Sequence, residues 1–195
     1  MNYLAHLFLS GSNEEIIIGN FIGDYVKGHK FMEFPENIRK GITLHRNIDM
    51  FTDTNAIVRA SKSRFSSHYG KYSGVVIDIF YDHFLTRHWR EFSKVNINVF
   101  ARRIYDILKR NFKILPEEVQ LFIPSFISNK WLTAYQSVLG IDHVLRKMSK
   151  RTSLPDYTDF AIQVLNADYD FLDEEFLSYF PKLIEFVKEN FLIEV

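Results

Sequence analysis

Along almost the whole chain apolar residues recur every third or fourth position rather than at alternate ones, the spacing that gathers them on one face of an α-helix. Two short β-branched runs, Ile16-Ile17-Ile18 and Val75-Val76-Ile77, lie inside longer helical patterns. The pattern predicts an all-α chain with helices over 3–9, 13–27, 36–51, 55–68, 73–91, 96–112, 117–128, 130–138, 141–150, 157–178 and 182–192. Punctuation residues agree with these limits. Asn13 is a helix cap ahead of Glu14 and Glu15, Pro35 and Pro116 suit first-turn positions, and Gly28, Gly70 and Gly140 follow helical runs. Phe180, Ile184, Val187 and Phe191 form a single stripe near the end of the chain. No repeat, low-complexity tract or linker interrupts the pattern, so residues 1–195 read as one helical-bundle domain.

Composition narrows the chemistry. With 195 residues, 47% of them hydrophobic and 19 of them Phe, the chain can bury one core covering roughly 70% of its unfolded surface. No run approaches the ~20 apolar residues of a membrane span, and Met1 to Ser10 lacks a basic segment, so a soluble cytoplasmic protein is expected. Without Cys there is no disulfide or zinc-thiolate site, and any metal is held by His, Asp or Glu. Net charge is zero but uneven: residues 1–155 carry 22 Lys and Arg against 14 Asp and Glu, and residues 156–195 carry 2 against 10. Such a basic body can steer an acidic partner; equally, acidic C-terminal helices over 156–195 can pack on it.

Three segments carry candidate chemistry. In Gly41 to Asp53, His45 and Asp49 lie four apart, so on a helix both face one way and can reach one metal ion, or the carboxylate can orient the imidazole. Asp53 suits a cap of the next helix. In Val75 to Trp89, Asp78 and Asp82 share a face of an otherwise apolar helix, and a buried carboxylate requires a cation or several hydrogen bonds beside it, from a metal or from an Arg such as Arg46 or Arg87. Near the N-terminus, His6 and Asp24 each interrupt an apolar stripe. Singly, each is weak; together they offer nitrogen and oxygen ligands from three helices, a set suited to Mn²⁺, Mg²⁺ or Fe²⁺. Such a centre lowers the pKa of bound water and neutralises phosphoryl oxygens. His29, His68 and His143 read as exposed, and no Gly-rich phosphate loop, Gly-x-Ser-x-Gly elbow or Cys nucleophile is present.

At these residues the chain resembles the bacterial acyl carrier protein phosphodiesterase family, also called acyl carrier protein hydrolases. The likeness runs through Met1 to Leu7, Gly19-Asn20 with Asp24, His45-Arg46 with Ile48-Asp49 and Thr52-Asp53, and Asp82-His83-Phe84-Leu85 with Arg87-His88-Trp89. Beyond residue 95 it thins to Trp131 and Ser149-Lys150-Arg151. The family is distantly similar to HD-type metal phosphohydrolases, which implies an HD-like helical fold, although here no His-Asp doublet occurs and Asp82-His83 runs in reverse order.

The resemblance implies Mn²⁺-dependent removal of 4′-phosphopantetheine from holo-acyl carrier protein, giving the apo form, a hydrolase step linked to fatty acid biosynthesis. It implies His6, Asp24, His45 and Asp82 around the metal, with Asp49 and Asp78 behind them or as alternative ligands, and a site lying mainly within residues 1–95. His83 or His88 is expected as proton donor, and Arg46 or Arg87 at the scissile phosphate, with Arg87 and His88 among the substrate contacts. Arg39, Lys40 and Arg102-Arg103 are candidate docking charges. The expected partner is the acidic carrier protein, with neither nucleic acid nor membrane. Two other readings use the same residues: an HD-type nucleotide phosphohydrolase, and a non-catalytic helical binding module in which the carboxylates form a structural network with Arg.

Overall fold

The computed structural model describes residues 2–195, and among them the chain is helical without strands. In order, the helices are α1 (Tyr3–Phe8), α2 (Glu14–Phe21), α3 (Glu36–Thr54), α4 (Ala56–Ser63), α5 (Ser66–Tyr69), α6 (Ser73–Arg87), α7 (Trp89–Phe92), α8 (Ile97–Arg110), α9 (Glu117–Ser128), α10 (Trp131–Ala134), α11 (Val138–Arg151), α12 (Thr158–Ala167) and α13 (Tyr169–Phe191). Short 3-10 turns occupy Gly28–Glu33, Gly70–Tyr72 and Phe112–Ile114. The expected all-α architecture is therefore present.

The centre of the bundle is α6. Val76, Ile77, Ile79, Phe80, Tyr81, Phe84 and Leu85 are buried around its whole circumference, as expected of a helix apolar on every side. It packs against α1, α4, α11 and α13. The tightest pair is α2 against α3, and two glycines permit it. A Cβ on Gly19 would stand 2.1 Å from the Ile38 carbonyl oxygen, and one on Gly41 would stand 2.3 Å from that of Ile16. This approach sets Asn20 of α2 beside His45 of α3.

Several limits differ from the sequence pattern for identifiable reasons. The segment expected as 13–27 is helical only to Phe21; residues 22–27 turn back over α3, tied down by Arg46, whose guanidinium donates to the carbonyls of Val26 (2.9 Å) and Gly28 (3.1 Å). Asn13 caps α2 as expected, accepting from the Glu15 and Ile16 N–H groups. Asn55, not Asp53, caps α4, while Asp53 pairs with Lys62. Gly140 lies inside the first turn of α11 rather than after a helix.

The predicted break near Pro181 is absent. Burial of Phe176, Tyr179, Phe180, Leu183 and Val187 on both sides of the proline offsets the ~3 kcal/mol that an interior proline costs, so α13 runs straight through it. The chain instead breaks at Asp168, whose carboxylate binds Arg64. The acidic tail packs on the body: Arg64 also pairs with Glu175, Arg87 with Asp173, and His88 with Asp173. Hence much of the charge asymmetry is consumed within the fold.

Candidate active site

Four elements converge on the middle of α3. From α1 comes His6, from α2 Asn20, from the following turn Asp24, and from α3 the pair His45 and Asp49, one helical turn apart. The imidazoles of His6 and His45 stack with centroids 4.1 Å apart. Gly23 allows the turn to lie directly on His45, since a Cβ there would fall 2.2 Å from its ring.

The hydrogen bonds determine which nitrogens carry protons. Ser10 Oγ donates to the His6 carbonyl (2.8 Å) and accepts from Asn20 Nδ2 (2.9 Å), and the same Nδ2 also donates to the His6 carbonyl (2.7 Å). Asn20 Oδ1 is thus the acceptor facing the imidazoles. His6 Nδ1 donates to it (2.9 Å), and His45 Nδ1 donates to the Asn20 carbonyl (2.8 Å). In a neutral imidazole this leaves both Nε2 atoms as lone pairs. His6 Nε2 stands 3.1 Å from Asp49 Oδ1, and His45 Nε2 stands 3.2 Å from Asp49 Oδ2 and 3.3 Å from Asp24 Oδ1. Yet His45 Nε2 is buried without a well-aligned hydrogen bond.

Acceptors facing acceptors need a positive charge between them. Ligand atoms of His6, His45 and Asp49 all lie within 4.8 Å of one another, so a divalent cation fits the donor set. Without one, a proton must serve: burial opposes the charge on His45, but Asp24 and Asp49 outweigh it and push its pKa up to about 9. Burial also works against ionised Asp49, yet the two imidazoles hold its carboxyl well below the usual range. His6 moves the other way, lowered by burial and by His45.

Two cavities meet at this cluster, sharing Asp24, Val75 and Asp78 in their walls. The larger, about 560 Å³, is a groove bounded by α4, α5 and the start of α6, with Arg59, Lys62 and Lys71 along it. The smaller, about 170 Å³, lies between Tyr3, Leu7, Phe21 and Met148.

The family model described as acyl carrier protein phosphodiesterase matches residues 1–183. The chain belongs to this family. Proteins named acyl carrier protein phosphodiesterase resemble it along nearly their full lengths. One from Escherichia coli O6:H1 is 32% identical over 95% of this chain and 96% of its own. One from Yersinia pestis is 29% identical over 94% and 96%, and one from Salmonella agona 30% over 94% and 96%. No solved structure gives a significant match.

For this member of the acyl carrier protein phosphodiesterase family, the structure brings together His6, Asp24, His45 and Asp49, and Asp78 lines both cavities beside them. Asp82 is placed differently. Both its oxygens accept backbone N–H groups at the start of α1, from Leu4 (2.9 Å) and Ala5 (3.1 Å), and it is fully buried. Its expected cation is thus replaced by a helix N-terminus, where donors and dipole favour a carboxylate. Burial still pushes its pKa up to about 7.

His83 and His88 are engaged elsewhere. His83 bonds the Tyr135 carbonyl through Nδ1 and the Tyr169 hydroxyl through Nε2, both at 2.7 Å. His88 bridges Glu91 (2.7 Å) and Asp173 (2.6 Å). Arg46 holds the 26–28 turn and sits over Phe31, while Arg87 sits over Tyr169 and pairs with Asp173. The cations along the groove are Arg59, Lys62 and Lys71, which the sequence reading passed over. Asn20, which orders both imidazoles, was visible only as part of the Gly19-Asn20 segment.

Proposed function

We propose that this chain hydrolyses the phosphodiester joining 4′-phosphopantetheine to a serine of holo-acyl carrier protein, releasing the apo form, with Mn²⁺ as cofactor. The observation that carries the reading is the convergence of two lone-pair imidazole nitrogens with the carboxylates of Asp49 and Asp24 at the junction of two cavities. It agrees with a family match over residues 1–183. The whole chain, 1–195, is taken as one functional unit, and none of the described helices is long and apolar enough to cross a membrane.

His6, His45 and Asp49 would hold the metal, with Asp24 completing the set from the turn. A divalent cation bound there supplies Lewis-acid charge for phosphoryl oxygens and makes bound water more acidic. Asn20 keeps both imidazoles in the ligating tautomer, as the outer partner of a ligating His generally does. Asp24, with 69% of its side chain exposed, would close the ligand set on its solvent side. Lys62, paired with Asp53 at 2.5 Å, lines the groove beside the cluster.

Intact-mass spectrometry of holo-acyl carrier protein incubated with the purified protein and Mn²⁺ tests this directly. Loss of the phosphopantetheine mass, blocked by EDTA and by Asp49→Asn, is expected. Retention of that mass with Mn²⁺ bound would overturn the reading.

A further inference from the structure

A phosphodiester has two arms, and the site has two cavities that meet at the His/Asp cluster. They differ in size and in chemistry. The narrow one is closed in by Tyr3, Leu7, Phe21 and Met148 and reaches His6 and Asn20 at its inner end. At about 170 Å³ it admits a slender chain but no folded protein. The broad groove of about 560 Å³ lies on the other side, and its wall away from the cluster carries the hydroxyls of Ser63 and Ser66 between exposed basic residues. Its carboxylates are accounted for at the cluster end: Asp24 and Asp49 face His45, Asp53 is paired with Lys62, and Asp78 sits where the cavities join. Arg59 and Lys71 are exposed, and among the described residues neither forms an ion pair; the Lys71 ammonium lies 5.1 Å from the centre of the Tyr72 ring.

We propose that the two cavities divide the substrate: the narrow one takes the prosthetic arm, and the broad groove seats an acidic surface of the carrier protein through Arg59 and Lys71. This rests on the phosphodiesterase reading above, which places phosphorus at the junction. The division follows from shape and charge together. A protein fits only the open side, and two uncompensated cations there select an acidic face and raise its encounter rate. The arm, alternating methylene and amide groups, matches a cavity with apolar walls and a few polar atoms.

Binding with the metal chelated separates docking from chemistry. The dissociation constants of fluorescently labelled apo- and holo-carrier protein are measured by anisotropy for the wild type, for Arg59→Glu/Lys71→Glu, and for Met148→Trp. The wild type is expected to bind holo more tightly than apo. The charge-reversed variant should weaken both forms by the same factor, about tenfold or more at low salt. Met148→Trp should remove only the advantage of holo over apo, and pantetheine added to the wild type should do the same, which guards against a folding defect in that variant. Wild-type affinity in the charge-reversed variant, or equal weakening of both forms by Met148→Trp and pantetheine, would overturn the division. Failure of the parent reading looks different: both forms bind, yet Mn²⁺ releases no phosphopantetheine. That result would overturn the assignment as well, because no reaction would then place phosphorus at the junction.

Discussion

Replacing Asp82 by Ala should damage the fold before it damages the proposed metal site. The carboxylate accepts the Leu4 and Ala5 N–H groups at 2.9 and 3.1 Å, in a position with no exposure to solvent. Without it two buried donors lose their acceptor, at ~1–3 kcal/mol each. Part is recovered because a desolvated carboxylate, with its pKa pushed up to about 7, is itself strained. The net is about 2–4 kcal/mol, or roughly 5–15 °C in Tm for a chain of this length. Asp82→Asn should give little relief, since its NH₂ group would face one of the two N–H donors. Thermal melting by circular dichroism reads the loss, and Mn²⁺ titration below the transition should show near wild-type affinity. A Tm within about 2 °C of wild type together with lost Mn²⁺ binding would refute the capping role and return Asp82 to the metal.

Three further outcomes follow from the geometry. Gly41→Ala should cost about 1–3 kcal/mol or more in urea unfolding, because its Cβ would meet the Ile16 carbonyl at 2.3 Å; a neutral result would contradict the close packing of α2 on α3. Gly23→Ala should displace the His45 imidazole and weaken Mn²⁺ binding about 10–100-fold, the size of effect seen when the partner orienting a ligand is lost, and calorimetric titration would detect it. His88, squeezed between Glu91 and Asp173, has its pKa raised although burial opposes the charge. Its contribution to stability is therefore complete below its unfolded pKa of about 6.5 and is lost as pH rises through the higher folded value. From about pH 6 to about pH 9 the wild type should lose more stability than His88→Gln, and equal losses would refute the coupling.

Periodicity sufficed for most helices because tertiary packing and local pattern agree in them. α6 was legible as a buried helix from its apolar run alone, and α3 from its first residue, the pattern over 36–51 falling three residues short of its end at Thr54. Where they disagree, the physics lies outside the local window. Nothing around Gly23 announces that the turn must rest on an imidazole 22 residues later, and Pro181 survives inside α13 only because residues on both sides of it are buried. The site divides in the same way. His6 and Asp24 stood out as polar residues in apolar stripes, and His45 and Asp49 by lying four residues apart. Asp82 met the same criterion, but the cation expected beside it is replaced by a helix N-terminus, whose N–H donors satisfy a buried carboxylate. Arg59, Lys62 and Lys71 were hidden because ordinary surface cations carry no pattern; only the groove gives them a role.

The measurement that tests the account most directly is Mn²⁺ binding followed by electron paramagnetic resonance of the free ion, in the wild type and in His6→Ala, His45→Ala and Asp49→Asn. The account predicts saturable binding by the wild type and a loss of about tenfold or more in each variant, with release of phosphopantetheine falling in step. Wild-type Mn²⁺ affinity and wild-type turnover in Asp49→Asn would contradict it.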